Sequence, residues 1–278
     1  MSKVLLADSH VHLLDARLLE CIDETVRGFD AEGIAFVVEA GTCFIDSKRA
    51  LQLAAKYDNV YCTIGVHPHE ARDYETRVTG YGLSTMEDDI EMGFEEWARH
   101  IAGHKKIVAV GECGLDYHYD HSPRDVQRDV FARQIRLAHE LKLPLVVHSR
   151  EAFDDTFNIL LENKSLLQNG VLFHCFGYGA LEAEKLTAEF DAYFAFGGAL
   201  TFGKKTQCLV DALKIVPHDR ILLETDCPYL SPVPCRGQIN QPRNVRLVAQ
   251  HVAKLLDKTE LEIAVLTLSN TKRFFHII

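Results

Sequence analysis

Short apolar runs recur along this chain at residues 4–8, 35–40, 60–65, 107–111, 145–148, 171–174, 193–196 and 221–224. They are nearly continuous in apolarity rather than alternating, which is the mark of strands covered on both faces. Between them, residues 45–56, 86–102, 124–141, 152–163, 181–190 and 208–215 carry apolar side chains at helical spacing, with Asp46, Ser122 and Glu151 near plausible helix starts. Strand and helix alternating in this way predict an α/β fold, a (β/α)8 TIM barrel, as a single domain over residues 1–278. A doubly wound open sheet shares the alternation, but it would bind at one crevice behind a glycine-rich turn after its first strand. Here the first strand opens on His10 and His12 instead, and candidate ligands stand at the ends of the first, fourth, fifth, sixth and eighth strands. The longest insertion, residues 73–88, is polar and predicts a surface loop beside the mouth of the site.

With 47% hydrophobic and 25% charged residues the composition is that of an ordinary globular protein. The formal net charge of −10 excludes a broadly basic nucleic-acid surface, because Lys and Arg supply phosphate affinity. Any nucleic-acid contact has to be local or mediated by metal. Eight cysteines without a C-x-x-C pair fit neither a zinc ribbon nor a disulfide scaffold, and read as reduced thiols. Residues 4–7 are too short for the core of a secretory signal, and no apolar stretch reaches the ~20 residues that cross a bilayer. A cytoplasmic location and no membrane partner are expected.

The strand ends carry the candidate chemistry. His10 and His12 are two apart on an extended segment, so their side chains share a face and can grip one ion; alone, such a pair is equally open to a structural reading. Glu112 follows Gly111, which leaves room for close approach, and its carboxylate can bridge two cations or simply face solvent. His148 and His174 each end an apolar run, where a buried imidazole needs partners for both nitrogens. Singly each reads as a core histidine, whereas two at matching positions favour ligation. Asp226 enters a turn set by Pro228 and can ligate a metal, take a proton from water, or form an Asx turn. Glu224, two residues earlier, is placed to support the ligands from behind. Further out, His67 and His69 face substrate or cap their loop, and Arg150 offers a planar donor fork to a phosphate oxygen or to a neighbouring helix. Phe202-Gly203-Lys204-Lys205 and Pro234-Cys235-Arg236-Gly237 add local positive charge, or a solvated loop.

Seven motifs in order then match a known pattern: Asp8-Ser9-His10-Val11-His12, Gly65-Val66-His67-Pro68-His69, Gly111-Glu112-Cys113-Gly114-Leu115-Asp116-Tyr117, Val147-His148-Ser149-Arg150, Phe173-His174-Cys175-Phe176, Glu224-Thr225-Asp226-Cys227-Pro228-Tyr229-Leu230, and Pro234-Cys235-Arg236-Gly237 with Asn240-Gln241-Pro242. The chain resembles the TatD-type metal-dependent deoxyribonucleases of the amidohydrolase-like barrel superfamily. The resemblance implies two divalent ions per chain, Zn, Mn or Mg, held by His10, His12, Glu112, His148, His174 and Asp226, with Glu112 shared between them. It also implies hydrolysis of phosphodiester bonds in DNA, often as 3′-to-5′ trimming. Single-stranded DNA or strand ends are then the expected substrate, and no obligate protein partner is expected. Gly177-Tyr178-Gly179 departs from the pattern, since many relatives carry a Ser after the Phe.

In the expected mechanism a metal-activated hydroxide attacks phosphorus, Glu112 and Asp226 act catalytically, and His67, His69 and Arg150 contact the substrate. Imidazole and carboxylate together suit Zn²⁺ or Mn²⁺ better than Mg²⁺. Hydrolysis of a carboxyl ester or amide, including an aminoacyl-tRNA ester, is the alternative enzyme. A metal-dependent binding scaffold without turnover is the alternative outside enzymes.

Overall fold

A computed structural model describes residues 4–79 and 91–278. In chain order its first elements are β1 (Leu6–Val11), α1 (Ile22–Glu32), β2 (Ile34–Glu39), α2 (Phe44–Lys56), β3 (Val60–Ile64), β4 (Val78–Thr79), β5 (Glu91–Met92), α3 (Phe94–His100), β6 (Ile107–Asp116) and α4 (Arg124–Leu141). There follow β7 (Leu145–Arg150), α5 (Phe153–Glu162), β8 (Val171–Phe173), α6 (Ala180–Glu189), β9 (Ala192–Phe196), α7 (Gln207–Ile215), β10 (Ile221–Leu223), α8 (Val245–Leu255) and α9 (Glu260–Phe274). Apart from the short antiparallel pair β4–β5, the strands order themselves in one eight-stranded sheet as they occur in the chain, each followed by helix. This is the (β/α)8 topology that the apolar runs predict.

The chain divides into two compact units, Met1–Glu39 with Leu172–Ile278, and Ala40–Val171. In the first, β1 pairs parallel with β2 and β10 with β9, and a parallel bridge joins Val11 to Cys227. α8 buries Val245, Val248, Ala249, Val252 and Ala253, an apolar stripe at helical spacing, while α9 packs on β1 and β10. α9 opens with a capping box, Thr259 accepting from the Glu262 amide and Glu262 from the Thr259 amide.

In the second unit β6 lies between β3 and β7, parallel to both. Close approach here depends on missing side chains: a Cβ on Gly65 would lie 2.4 Å from the Gly111 carbonyl carbon. All ten residues of β6 are buried, and the strand runs five residues past the predicted end at Gly111. Two glutamines of α4, seven residues apart and so on one helix face, bond to backbone at the ends of two strands. Gln134 brackets Val66, accepting from its N–H and donating to its C=O, both at 2.8 Å. Gln127 accepts from the Asp116 N–H at 2.9 Å and donates to the Asp116 and Ser122 carbonyls. Both are fully buried, so each satisfies backbone groups that no strand pairs.

Helix starts differ from expectation. Cys43, not Asp46, caps α2, its sulfur accepting from the Asp46 amide. Ser122 lies before α4, but its hydroxyl donates to the His69 carbonyl at 2.8 Å instead of capping. Ala152, not Glu151, precedes α5. α3 is shorter than the expected 86–102, whose first part falls outside the described residues, as does most of the insertion at 73–88. Helices α1, α8 and α9 add to those expected. No disulfide joins the cysteines among the described residues, and no helix there is long and apolar enough to cross a membrane.

Candidate metal centre

In the first unit the extended end of β1 places His10 and His12 on one face, their Nε2 atoms 3.3 Å apart. The segment after β10 is tied to it by backbone: the Asp226 N–H donates to the His10 carbonyl at 3.0 Å and the His12 N–H to the Cys227 carbonyl at 2.8 Å. Asp226 Oδ1 thereby reaches within 3.2 Å of His12 Nε2. His174, at the end of β8, stacks on His10 with ring centroids 3.9 Å apart. Donor atoms of His10, His174 and Asp226 all lie within 4.8 Å of one another.

Buried groups behind these donors hold them in place. Asp8, fully buried, accepts from the Thr225 hydroxyl at 2.6 Å and the Thr225 amide at 2.8 Å. Burial outweighs those bonds and pushes its carboxyl up to about 7. Glu224, also fully buried, accepts from the Cys175 amide at 2.6 Å and lies 3.8 Å from His174 Nδ1. Burial alone would raise the Asp226 carboxyl, but His12, then His174 and His10, hold it below its ordinary value, so it stays ionised.

In the second unit β6 delivers Glu112 and β7 delivers His148, with 2.8 Å between Glu112 Oε1 and His148 Nδ1. The loop after β3 adds His67, whose Nε2 is 3.4 Å from the same oxygen. Donor atoms of His67, Glu112 and His148 lie within 4.8 Å of one another. His67 thus stands in a group able to hold a cation, whereas a substrate contact or a loop cap was expected of it. Its Nδ1 also accepts from the His69 amide at 3.1 Å, the loop-capping alternative. Burial pushes its imidazole down to about 4.

Asp116 closes the group from behind. Its Oδ2 is 3.0 Å from His148 Nε2 and 3.1 Å from His69 Nε2, while its Oδ1 accepts from the His118 and Tyr119 amides, each at 3.0 Å. Burial would lower the His148 imidazole, yet its bonds to Asp116 and Glu112 prevail and raise it to about 9. The same contacts hold Asp116 well below the usual carboxylate range. Asp116 was visible in sequence only as part of a motif. Its signal was an Asp whose following backbone amides, two and three residues on, can turn back to it.

These donors fit divalent cations. Imidazole nitrogens and carboxylate oxygens converge within coordination reach of one another, and two like-facing Nε2 atoms 3.3 Å apart gain most from a shared positive partner. Away from them, the Arg150 guanidinium carbon lies 4.8 Å from the Tyr119 ring centroid. In the first unit Arg236 stacks 3.6 Å from the Phe202 centroid, so part of the expected positive charge is laid over a ring. Gly179 of the divergent Gly177-Tyr178-Gly179 turn opens α6, its amide donating to Glu182.

A family model described as TatD related DNase matches residues 7–276. The chain belongs to the TatD-related DNase family. Bacillus subtilis YabD, described as an uncharacterized metal-dependent hydrolase, is 37% identical over 273 residues, covering 98% of this chain and 100% of that protein. The 3′-5′ ssDNA/RNA exonuclease TatD of Erwinia tasmaniensis is 31% identical over 275 residues, covering 97% and 99%. The crystal structure of YJJV, a TatD homolog from Escherichia coli K12, superposes with a TM-score of 0.85 at 24% identity over 100% of both chains, which shows a common fold. This TatD-family chain is therefore placed among the metal-dependent hydrolases.

Proposed function

We propose that this protein is a metal-dependent deoxyribonuclease that trims single-stranded DNA, or strand ends, from the 3′ side. The observation that carries the reading is the convergence of imidazole and carboxylate donors on the strands and on the segments that follow them. His10, His12, His174 and Asp226 gather in one unit, and Glu112 and His148 in the other. A family whose model is a DNase, and a relative named as an exonuclease, support DNA as the substrate.

The ligand set we assign is His10, His12, Glu112, His148, His174 and Asp226, with Glu112 shared by two ions. Divalent ions bound there would supply Lewis-acid polarisation of a phosphoryl oxygen and make water acidic enough to react near neutral pH. Asp226, kept ionised, accepts a hydrogen bond from the attacking water and then its proton. Asp116 holds His148 in a fixed orientation, and the Glu224 carboxylate lies 3.8 Å from His174 Nδ1. His67, His69 and Arg150 steady the phosphate and the strand. No serine or cysteine nucleophile is needed.

The test is cleavage of a single-stranded oligonucleotide, labelled at one end or the other, with Mn²⁺ or Mg²⁺ added. The wild type should shorten the strand stepwise from its 3′ end, while His10→Ala and Asp226→Ala should leave it intact. Turnover of acyl esters with no action on any oligonucleotide would point to the carboxyl-ester reading instead.

A further inference from the structure

The turn after β6 carries rings that neither ligation nor the core accounts for. Tyr119 is 52% exposed, and its ring is parallel to that of His121 within 5°, with centroids 5.5 Å apart. His69 meets both edge-on, at 5.5 Å from Tyr119 and 4.6 Å from His121. The Arg150 guanidinium stands by the Tyr119 ring.

The turn that presents these rings is fixed at several points. Asp116 Oδ1 holds the His118 and Tyr119 amides, and Ser122 bridges the His69 carbonyl and the Arg72 amide. The neighbouring acids are engaged: Asp120 accepts from Arg124 at 2.8 and 2.7 Å, and Glu151 meets His118 Nδ1 at 2.6 Å. Flat aromatic surface, a guanidinium and acids already bonded to neighbouring side chains together suit a planar, electron-rich group attached to an anion. Continuity with the metal-donor group is direct, because the carboxylate that fixes the turn also contacts His148.

We propose that Tyr119 and His121, with Arg150 beside them, form a stacking step for a nucleobase of single-stranded DNA. The inference rests on the nuclease reading and adds to it a base-binding position that confers preference for strands bearing bases. Stacking on an aromatic ring tolerates every base, so the step contributes affinity without reading sequence.

The experiment compares wild type, Tyr119→Ala and Tyr119→Trp on a short oligothymidylate and on a strand of equal length with abasic sites, Mn²⁺ being present. Tyr119→Ala should raise KM for the base-bearing strand roughly 5- to 150-fold while leaving kcat within about twofold. Tyr119→Trp should restore KM, and the abasic strand should not distinguish the variants. Equal KM for wild type and Tyr119→Ala on the base-bearing strand, or a loss confined to kcat, overturns the stacking step while leaving the nuclease reading intact. A wild type that cleaves neither strand overturns both.

Discussion

Asp116→Asn separates the support of a metal ligand from the ligand itself. Asp116 is 1% exposed and divides its oxygens between two tasks, the His118 and Tyr119 amides on Oδ1 and the His148 and His69 rings on Oδ2. Asparagine keeps an acceptor for the amides, so the turn survives and its NH₂ replaces Oδ2. That NH₂ donates, which forces His148 Nε2 to accept and moves the ring proton to Nδ1, the nitrogen 2.8 Å from Glu112. In wild type a cation taking Nδ1 displaces one proton and leaves Nε2–H donating to Asp116, whereas in the variant no acceptor meets Nε2–H. Losing such a supporting partner costs about 10- to 100-fold in metal affinity, or roughly 1.4–2.7 kcal/mol. Competition for Zn²⁺ against a chromogenic chelator measures it, with the circular dichroism of the variant as the control for folding. Affinity within about twofold of wild type would refute the assignment of Asp116 as the group that orients His148.

Other expectations follow from groups outside the site. Lys106 Nζ donates to the carbonyls of Tyr57 and Asp58 at 2.8 Å and of Val60 at 3.1 Å, so Lys106→Met should lower unfolding free energy by roughly 1–3 kcal/mol in urea titration. No change would show that water replaces the ammonium without cost. Burial, then nearby Lys254, holds the His251 imidazole below its ordinary 6.5 against a bond involving the Leu200 backbone. Its neutral form therefore stabilises the fold above pH 6.5, and that contribution is lost as pH falls through the lowered value. Thermal melts of His251→Gln should accordingly fall less than those of wild type between about pH 7 and 5, and parallel curves would contradict this.

The strands were legible because a segment covered on both faces must be apolar throughout, and all ten residues of β6 are buried. The candidate donors were legible because His10, Glu112, His148, His174 and Asp226 interrupt or follow such runs with groups the core would otherwise reject. Less was visible where side chains leave their local role. Ser122 has the composition of a cap, yet its hydroxyl goes to His69, fifty-three residues earlier in sequence. Gln127 and Gln134 are polar residues of α4 that only the tertiary fold turns onto the backbone near two strand ends. α1 escaped because Gly28 and its charged residues dilute a stripe of Ile22, Val26 and Phe29. Tyr119 and His121 become a surface only once the Asp116 turn sets their rings parallel.

Whether converging donors hold the ions that cleave DNA is decided by metal content, from elemental mass spectrometry, and strand cleavage measured on the same preparations of wild type and Glu112→Ala equilibrated with Mn²⁺. Wild type should hold two ions per chain and trim from the 3′ end, and Glu112→Ala should hold fewer ions with trimming abolished. Full occupancy together with undiminished cleavage in Glu112→Ala would contradict this.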